Sequence, residues 1–166
     1  MVLDLSIVVP AYNEARNILL LHKQIVEVLK KEKILYEIIF INDGSTDNTL
    51  DTLKSIKKKD SKIKIINFRK NFGQTAAMDA GFKNSKGKII IPMDADLQND
   101  PKDIPRLIKK LNEGFDCVSG WRYKRKDSFS KKTFSLFASF VRRLITKDVV
   151  HDSGCTMKAY KKECFE

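Results

Sequence analysis

The sequence predicts an α/β domain with a mostly parallel central sheet flanked by helices. Two observations carry this. Strand-like and helix-like runs alternate from Leu5 to Ser119, an order that right-handed crossovers turn into a parallel sheet. Polar clusters follow three of the strand-like runs: Tyr12-Asn13-Glu14, Asn42-Asp43-Gly44-Ser45 and Asp94-Ala95-Asp96. Ligands of such sheets sit beyond the carboxyl ends of the strands, so three clusters on one rim predict one site. The size agrees: 166 residues, 42% apolar and 32% charged, make one domain with its own core, residues 1–166, and exclude collagen-like and disordered chains.

The elements follow in order. Leu5 to Val9 is a β-branched run ending at Pro10. Ala15 to Lys31 has helical periodicity, with Ile18, Leu21, Ile25, Val28 and Leu29 on one face. Glu37 to Ile41 reads as a buried strand, stopped by Asn42-Asp43-Gly44. A helix over Thr49 to Lys59 buries Leu50, Leu53 and Ile56, with Ser45 or Thr46 expected as its N-cap and Asp47 favourable at its positive end. Ile63 to Phe68 is a third strand, Thr75 to Lys83 a short helix and Ile89 to Met93 a fourth strand. Asp100 suits an N-cap and Pro101 the first position of a helix that buries Ile104, Leu107, Ile108 and Leu111 and ends at Gly114. Cys117 to Ser119 is a fifth strand, and the last residues before Glu166 read as a starting helix, so more chain is expected beyond it.

Lys and Arg number 32 against 21 Asp and Glu, a net charge of +11 that calls for an anionic partner: nucleic acid, a phosphorylated ligand or an acidic membrane surface. Helix-turn-helix, zinc-ligand and RNP-type patterns are absent from the sequence, so nucleic acid is not expected. Nine basic residues lie between Trp121 and Lys147 against Asp127 alone, a net +8. Within that stretch Phe134, Phe137, Phe140, Val141, Leu144 and Ile145 recur at helical spacing. An aromatic amphipathic helix with basic flanks reads as a contact with an anionic membrane surface through Lys131 to Lys147; burial against the sheet produces the same stripe. No apolar run reaches the length of a spanning helix, and the N-terminus has no signal-peptide pattern. Cys117, Cys155 and Cys164 read as reduced thiols, Cys155 as a small packing residue and His22 as a surface residue.

Asp94 and Asp96 stand one residue apart after a strand, where both can reach one hard cation, Mg²⁺ or Mn²⁺, with Gln98 able to add an oxygen. A metal so held neutralises a diphosphate leaving group. Asp43 is expected to be free for a base or ribose, and Tyr12 to offer a ring to a base. Adjacent residues in a strand face opposite ways, which weakens His151 and Asp152 as a dyad.

These residues resemble a family. Val8-Val9-Pro10-Ala11-Tyr12-Asn13-Glu14, Asn42-Asp43-Gly44-Ser45-Thr46-Asp47 and Asp94-Ala95-Asp96-Leu97-Gln98 look like the signature blocks of family 2 glycosyltransferases of the GT-A fold. Asn71 to Ala77 resembles the block before the metal motif, while Ser119-Gly120-Trp121-Arg122 and His151 to Tyr160 are similar to the polyprenyl-phosphate branch. The resemblance implies a nucleotide-sugar site of Pro10, Tyr12, Glu14, Asp43 and Asp94, a metal site of Asp94, Asp96 and Gln98, and Arg122, with Arg125, Lys131 and Lys132, at the acceptor phosphate. Asp152 would lie near the reacting carbon, as base or as sugar orienter. The implied reaction is inverting transfer of one sugar from a nucleotide diphosphate sugar, UDP favoured over GDP, to a polyprenyl phosphate. The implied place is the cytoplasmic membrane face, with membrane segments beyond Glu166. The Gln-x-x-Arg-Trp motif of processive members is absent from these residues, which favours single transfer. Two alternatives stay open: a soluble transferase acting on a saccharide or protein hydroxyl, and a non-enzymatic nucleotide or polyanion binder.

Overall fold

The computed structural model describes residues 3–120 and 155–165. Its elements are β1 (Leu5–Ala11), α1 (Ala15–Lys31), β2 (Tyr36–Asn42), α2 (Thr49–Lys59), β3 (Ile63–Asn67), α3 (Gln74–Lys83), β4 (Ile89–Pro92), α4 (Ile104–Leu111), β5 (Cys117–Ser119) and β6 (Lys158–Lys161). Asp100 accepts from the Lys102 amide, so it does cap the turn of 3₁₀ helix over Pro101–Asp103 that leads into α4.

One sheet runs in the order β3-β2-β1-β4-β6-β5. The pairings among β3, β2, β1 and β4 are parallel; β6 runs antiparallel to both β4 and β5. The mostly parallel expectation holds, with a correction at one edge. The unforeseen β6 brings the antiparallel pairing and stands between β4 and the fifth strand. The C-terminal helix start is likewise a short 3₁₀ turn over Lys162–Phe165, where Phe165 packs 4.5 Å from the Phe82 ring.

Burial on both faces explains the continuous apolar strands. Leu5, Ile7, Val9, Ile38, Phe40, Ile91 and Met93 join residues of α1, α2 and α4 in the larger core. Val8, Ile39, Ile41 and Ile90 point the other way and meet Ala77 of α3. Helices α1, α2 and α4 therefore cover one face and α3 the other.

His22 is not a surface residue. It is half-buried where α1 lies beside the end of α2, with Nε2 3.0 Å from Asp60 Oδ2. Cys155 is buried in the larger core, as expected of a packing residue.

Candidate active site

The strand order reverses direction between β1 and β4, the place where an open α/β sheet parts at its carboxyl edge. The register shows how. Pairing of β4 with β1 ends at Val8 and Pro92, whereas β1 continues beside β2 to Ala11 and Asn42. Pro10, which has no N–H to donate, sits where β1 has lost its neighbour on that side. A crevice of about 430 Å³ opens there, and its walls include Pro10, Tyr12, Glu14, Asp43, Asp94 and Asp96. Five of the six come from the three polar clusters after β1, β2 and β4, and Pro10 from the end of β1 itself. Gln98 stands apart: it lines a neighbouring cavity together with Cys155 and Met157. Arg122, Arg125, Lys131, Lys132 and Asp152, and the amphipathic stretch of Lys131 to Lys147, lie outside the described residues.

Asp43 is only 4% exposed. Its Oδ1 accepts from the Phe72 amide at 2.8 Å and its Oδ2 from the Gly73 amide at 3.0 Å. The expectation of a free carboxylate is thus corrected: Asp43 fixes the 72–73 loop and keeps one remaining lone pair on each oxygen. Gly44 makes this approach possible. Its φ is +67°, and a Cβ there would fall 2.2 Å from the Lys70 carbonyl carbon.

Neither Ser45 nor Thr46 caps α2. Asn48 holds the N-cap position without a side-chain bond. The loop is instead drawn to Asn13, whose Oδ1 accepts from the Thr46 amide at 2.8 Å, while the Asn13 amide donates to Ser45 Oγ at 3.0 Å. Asn13 has φ 57°, a left-handed conformation that Asn tolerates better than most residues. Asp47 accepts from the Thr49 hydroxyl and amide and from the Ala15 amide. Its slight burial would raise its pKa, but these bonds hold it below the usual carboxylate value. Thr49 in turn accepts from the Glu14 amide at 2.9 Å, and Glu14 Oε2 accepts from Asn17 at 2.6 Å. The first two clusters are therefore one hydrogen-bonded unit, from which the Tyr12 ring projects 46% exposed.

The paired carboxylates differ. Asp94 Oδ1 accepts from Gln74 at 3.0 Å, and Oδ2 accepts from Asn99 at 3.5 Å and from the Thr156 hydroxyl. Asp96 is exposed, and its Oδ1 accepts from the Gln98 amide at 3.0 Å. Leu97, between Asp96 and Gln98, has φ 64°, a strained left-handed conformation. Among the described residues, no three His, Cys, Asp or Glu side chains converge as a metal site. The two carboxylates are hard oxygen donors, a set suited to a Mg²⁺ or Mn²⁺ ion that takes its other ligands from phosphate and water. Sequence reasoning missed Asn13, Gln74, Asn99 and Thr156, although Asn13, Gln74 and Thr156 stand inside blocks it singles out.

The comparisons agree with this geometry. The family model "Glycosyl transferase family 2" matches residues 6–166. A dodecaprenyl-phosphate galacturonate synthase of Rhizobium johnstonii is 40% identical over 162 residues, covering 96% of this chain and 48% of that protein. An undecaprenyl-phosphate 4-deoxy-4-formamido-L-arabinose transferase of Salmonella choleraesuis is 37% identical over 158 residues, covering 95% and 48%. The chain thus spans about half the length of these curated relatives. Among solved structures, a mannosyltransferase of Pyrobaculum calidifontis in complex with GDP-Man and Mn²⁺ superposes with a TM-score of 0.71 at 19% identity, covering 98% of this chain and 46% of that one. Glucosyl-3-phosphoglycerate synthase of Mycobacterium tuberculosis, with Mn²⁺, UDP and phosphoglyceric acid, gives 0.74 at 20% identity, covering 97% and 56%. By the family match and the identity to these relatives, the chain belongs to glycosyl transferase family 2.

Proposed function

We propose that this domain transfers a single sugar from a nucleotide diphosphate sugar to a polyprenyl phosphate, with inversion and with a divalent metal. The observation that carries the reading is the crevice between β1 and β4, with buried Asp43 on one wall and Asp94 and Asp96 on the other. Tyr12 offers its ring to the base, and Pro10 and Glu14 shape the wall beside it. Asp43 uses its remaining lone pairs on the base or ribose. Asp94 and Asp96 would hold Mg²⁺ or Mn²⁺, with Gln98 contributing from beyond the crevice. A bound cation neutralises the diphosphate as it leaves. The relatives named as dodecaprenyl- and undecaprenyl-phosphate enzymes support the acceptor class, and the structures solved with Mn²⁺ and a nucleotide support the donor class.

A phosphate acceptor is largely ionised near neutral pH, since its second pKa is about 6. It needs guidance and desolvation more than a base. Arg122 and Arg125 offer planar forks for its oxygens, and Lys131 and Lys132 add charge. As the phosphate oxygen bonds to the anomeric carbon, the bond from that carbon to the diphosphate breaks, inverting the centre without a covalent enzyme intermediate. Asp152 acts as sugar orienter or as base. The basic stretch Lys131 to Lys147 would meet the anionic membrane at its cytoplasmic face. UDP is favoured over GDP on the family likeness of the Gln98-Asn99 context and the His151 block.

The test is calorimetric titration of UDP and of GDP, with Mn²⁺ and with EDTA, for the wild type and Asp96→Ala. Metal-dependent binding of one nucleotide, lost in Asp96→Ala, is the expected result. No binding by folded protein would overturn the donor site and leave the polyanion-binding reading. With a hydroxyl acceptor in place of the phosphate, Asp152→Asn would abolish transfer rather than slow it.

A further inference from the structure

Asp94 is approached from three separate parts of the chain. Gln74 reaches Oδ1 from the start of α3. Asn99 and Thr156 reach Oδ2 from the loop after β4 and from the stretch before β6. The antiparallel register explains how a residue 62 positions away arrives. Ile89 pairs with Lys161 and Ile90 with Tyr160; continued two residues past the end of β4, that register sets Thr156 opposite Asp94.

The hydrogen bonds have a direction. Asn99 is buried and donates to Thr156 Oγ1 at 3.2 Å as well as towards Asp94. With its oxygen occupied as acceptor, the Thr156 hydroxyl turns its proton to Asp94 Oδ2. Oδ2 then has two donors, which fill its lone pairs, and Oδ1 has one. The free acceptor position of this carboxylate is therefore on Oδ1. Among the described residues Asp96 lacks such bracing: the bond to its own loop amide is two residues along the chain.

We propose that Thr156 is a positioning residue, whose hydroxyl, itself set by Asn99, orients Asp94 so that Oδ1 is presented to the divalent cation. The inference rests on the donor-site reading above and deepens it. It also gives the stretch after Asp152 a task at the donor site. A flexible carboxylate would lose orientational freedom on binding a metal; a braced one has lost that freedom already.

Thr156→Val keeps the branched shape and removes the hydroxyl, whereas Thr156→Ser keeps the hydroxyl. Mn²⁺ affinity is measured on the 166-residue chain by electron paramagnetic resonance of free Mn²⁺, with UDP and with GDP. Thr156→Val is expected to bind Mn²⁺ about tenfold more weakly, equal to about 1.4 kcal/mol, with a near-unchanged thermal midpoint. Thr156→Ser restores the affinity. If the valine variant does not fold, Thr156→Ala removes the same hydroxyl without filling its place. Wild-type affinity in the folded valine or alanine variant overturns the proposal, as does a serine variant as weak as valine. A wild-type chain that binds no Mn²⁺ with either nucleotide overturns the donor-site reading and this inference together.

Discussion

The two ends of the same sheet handle charge in opposite ways. At the amino end, Glu37 is buried on the face shared with α3. Its Oε1 accepts from Ser6 at 2.7 Å and from the Lys86 amide at 2.6 Å, and Lys64 lies 2.5 Å from Oε2. The helices end there in Lys30 and Lys31, Lys57 to Lys59, Lys83, and Lys109 and Lys110, which suits the negative ends of their dipoles. At the carboxyl end, among the described residues, the carboxylates are braced by neutral donors: two backbone amides hold Asp43, and Gln74, Asn99 and Thr156 hold Asp94. A carboxylate already paired with a lysine has its charge neutralised within the fold; one braced by neutral donors keeps its charge for a ligand. The contrast separates structural charge from functional charge without reference to any relative.

The sharpest way to break the contrast is to remove one carboxylate from each end. Asp43→Ala strands the Phe72 and Gly73 amides, with an expected loss of roughly 3 kcal/mol from two charge-assisted bonds. It is also expected to abolish nucleotide binding. Chemical denaturation and calorimetry read the two effects separately. Glu37→Ala strands the Ser6 hydroxyl and the Lys86 amide. Lys64 is 39% exposed and can turn its charge to water, so the cost is set by the two neutral donors, roughly 2–3 kcal/mol. Nucleotide affinity is expected to stay at the wild-type value below the melting range. A drop in affinity would mean that the amino-end network does shape the crevice.

Acid tests the amino-end network more gently. Burial pushes the Glu37 carboxyl up, but bonds from Lys64, Ser6 and Lys86 outweigh it and hold the pKa below its ordinary value of 4.5. A carboxylate depressed in the folded state gives stability that is present above the unfolded value and is lost as pH falls through the folded one. Asp60 behaves alike: burial raises it, and the bonds from His22 and the Lys62 amide lower it further. Stability is therefore expected to hold down to about pH 4.5 and then decline. Glu37→Gln should flatten the decline in a pH series of thermal midpoints. An unchanged slope would assign the acid limb to other carboxylates.

Much of this was legible in the sequence, for reasons particular elements make plain. The period of α1 and the β-branched runs of β1 to β4 are local signals, and their limits came within two residues. The three polar clusters placed Asp43, Asp94 and Asp96 on one rim because strand direction fixes where a strand's end lies. β6 was missed because Lys158-Ala159-Tyr160-Lys161 has too little apolar pattern to stand alone; it becomes a strand by pairing with β4 and β5. The donors to Asp94 were missed for the same reason. Gln74, Asn99 and Thr156 converge only once α3 and β6 flank β4. The capping of α2 failed because Asn13, which is remote in sequence, takes the Thr46 and Asp47 amides, and the helix begins only at Thr49, whose amide donates to Asp47.

The smallest effect is expected where charge is neither buried nor aimed at a ligand. Lys83 and Asp79 pair at 2.8 Å across one turn of α3, with side chains 72% and 59% exposed. Water screens such a pair and both chains give up rotamer freedom to form it, so Asp79→Asn should change stability by no more than about 0.5 kcal/mol. It should also leave the nucleotide titration untouched. Doubling the salt should matter even less to the variant than to the wild type, because the screened interaction is already gone. Denaturation at two salt concentrations measures this. A loss nearer that of Glu37→Ala would mean that the lysines at the helix ends repel one another strongly, with Asp79 holding that repulsion in check. The charge of the amino end would then be a load on the fold rather than a solvated surface.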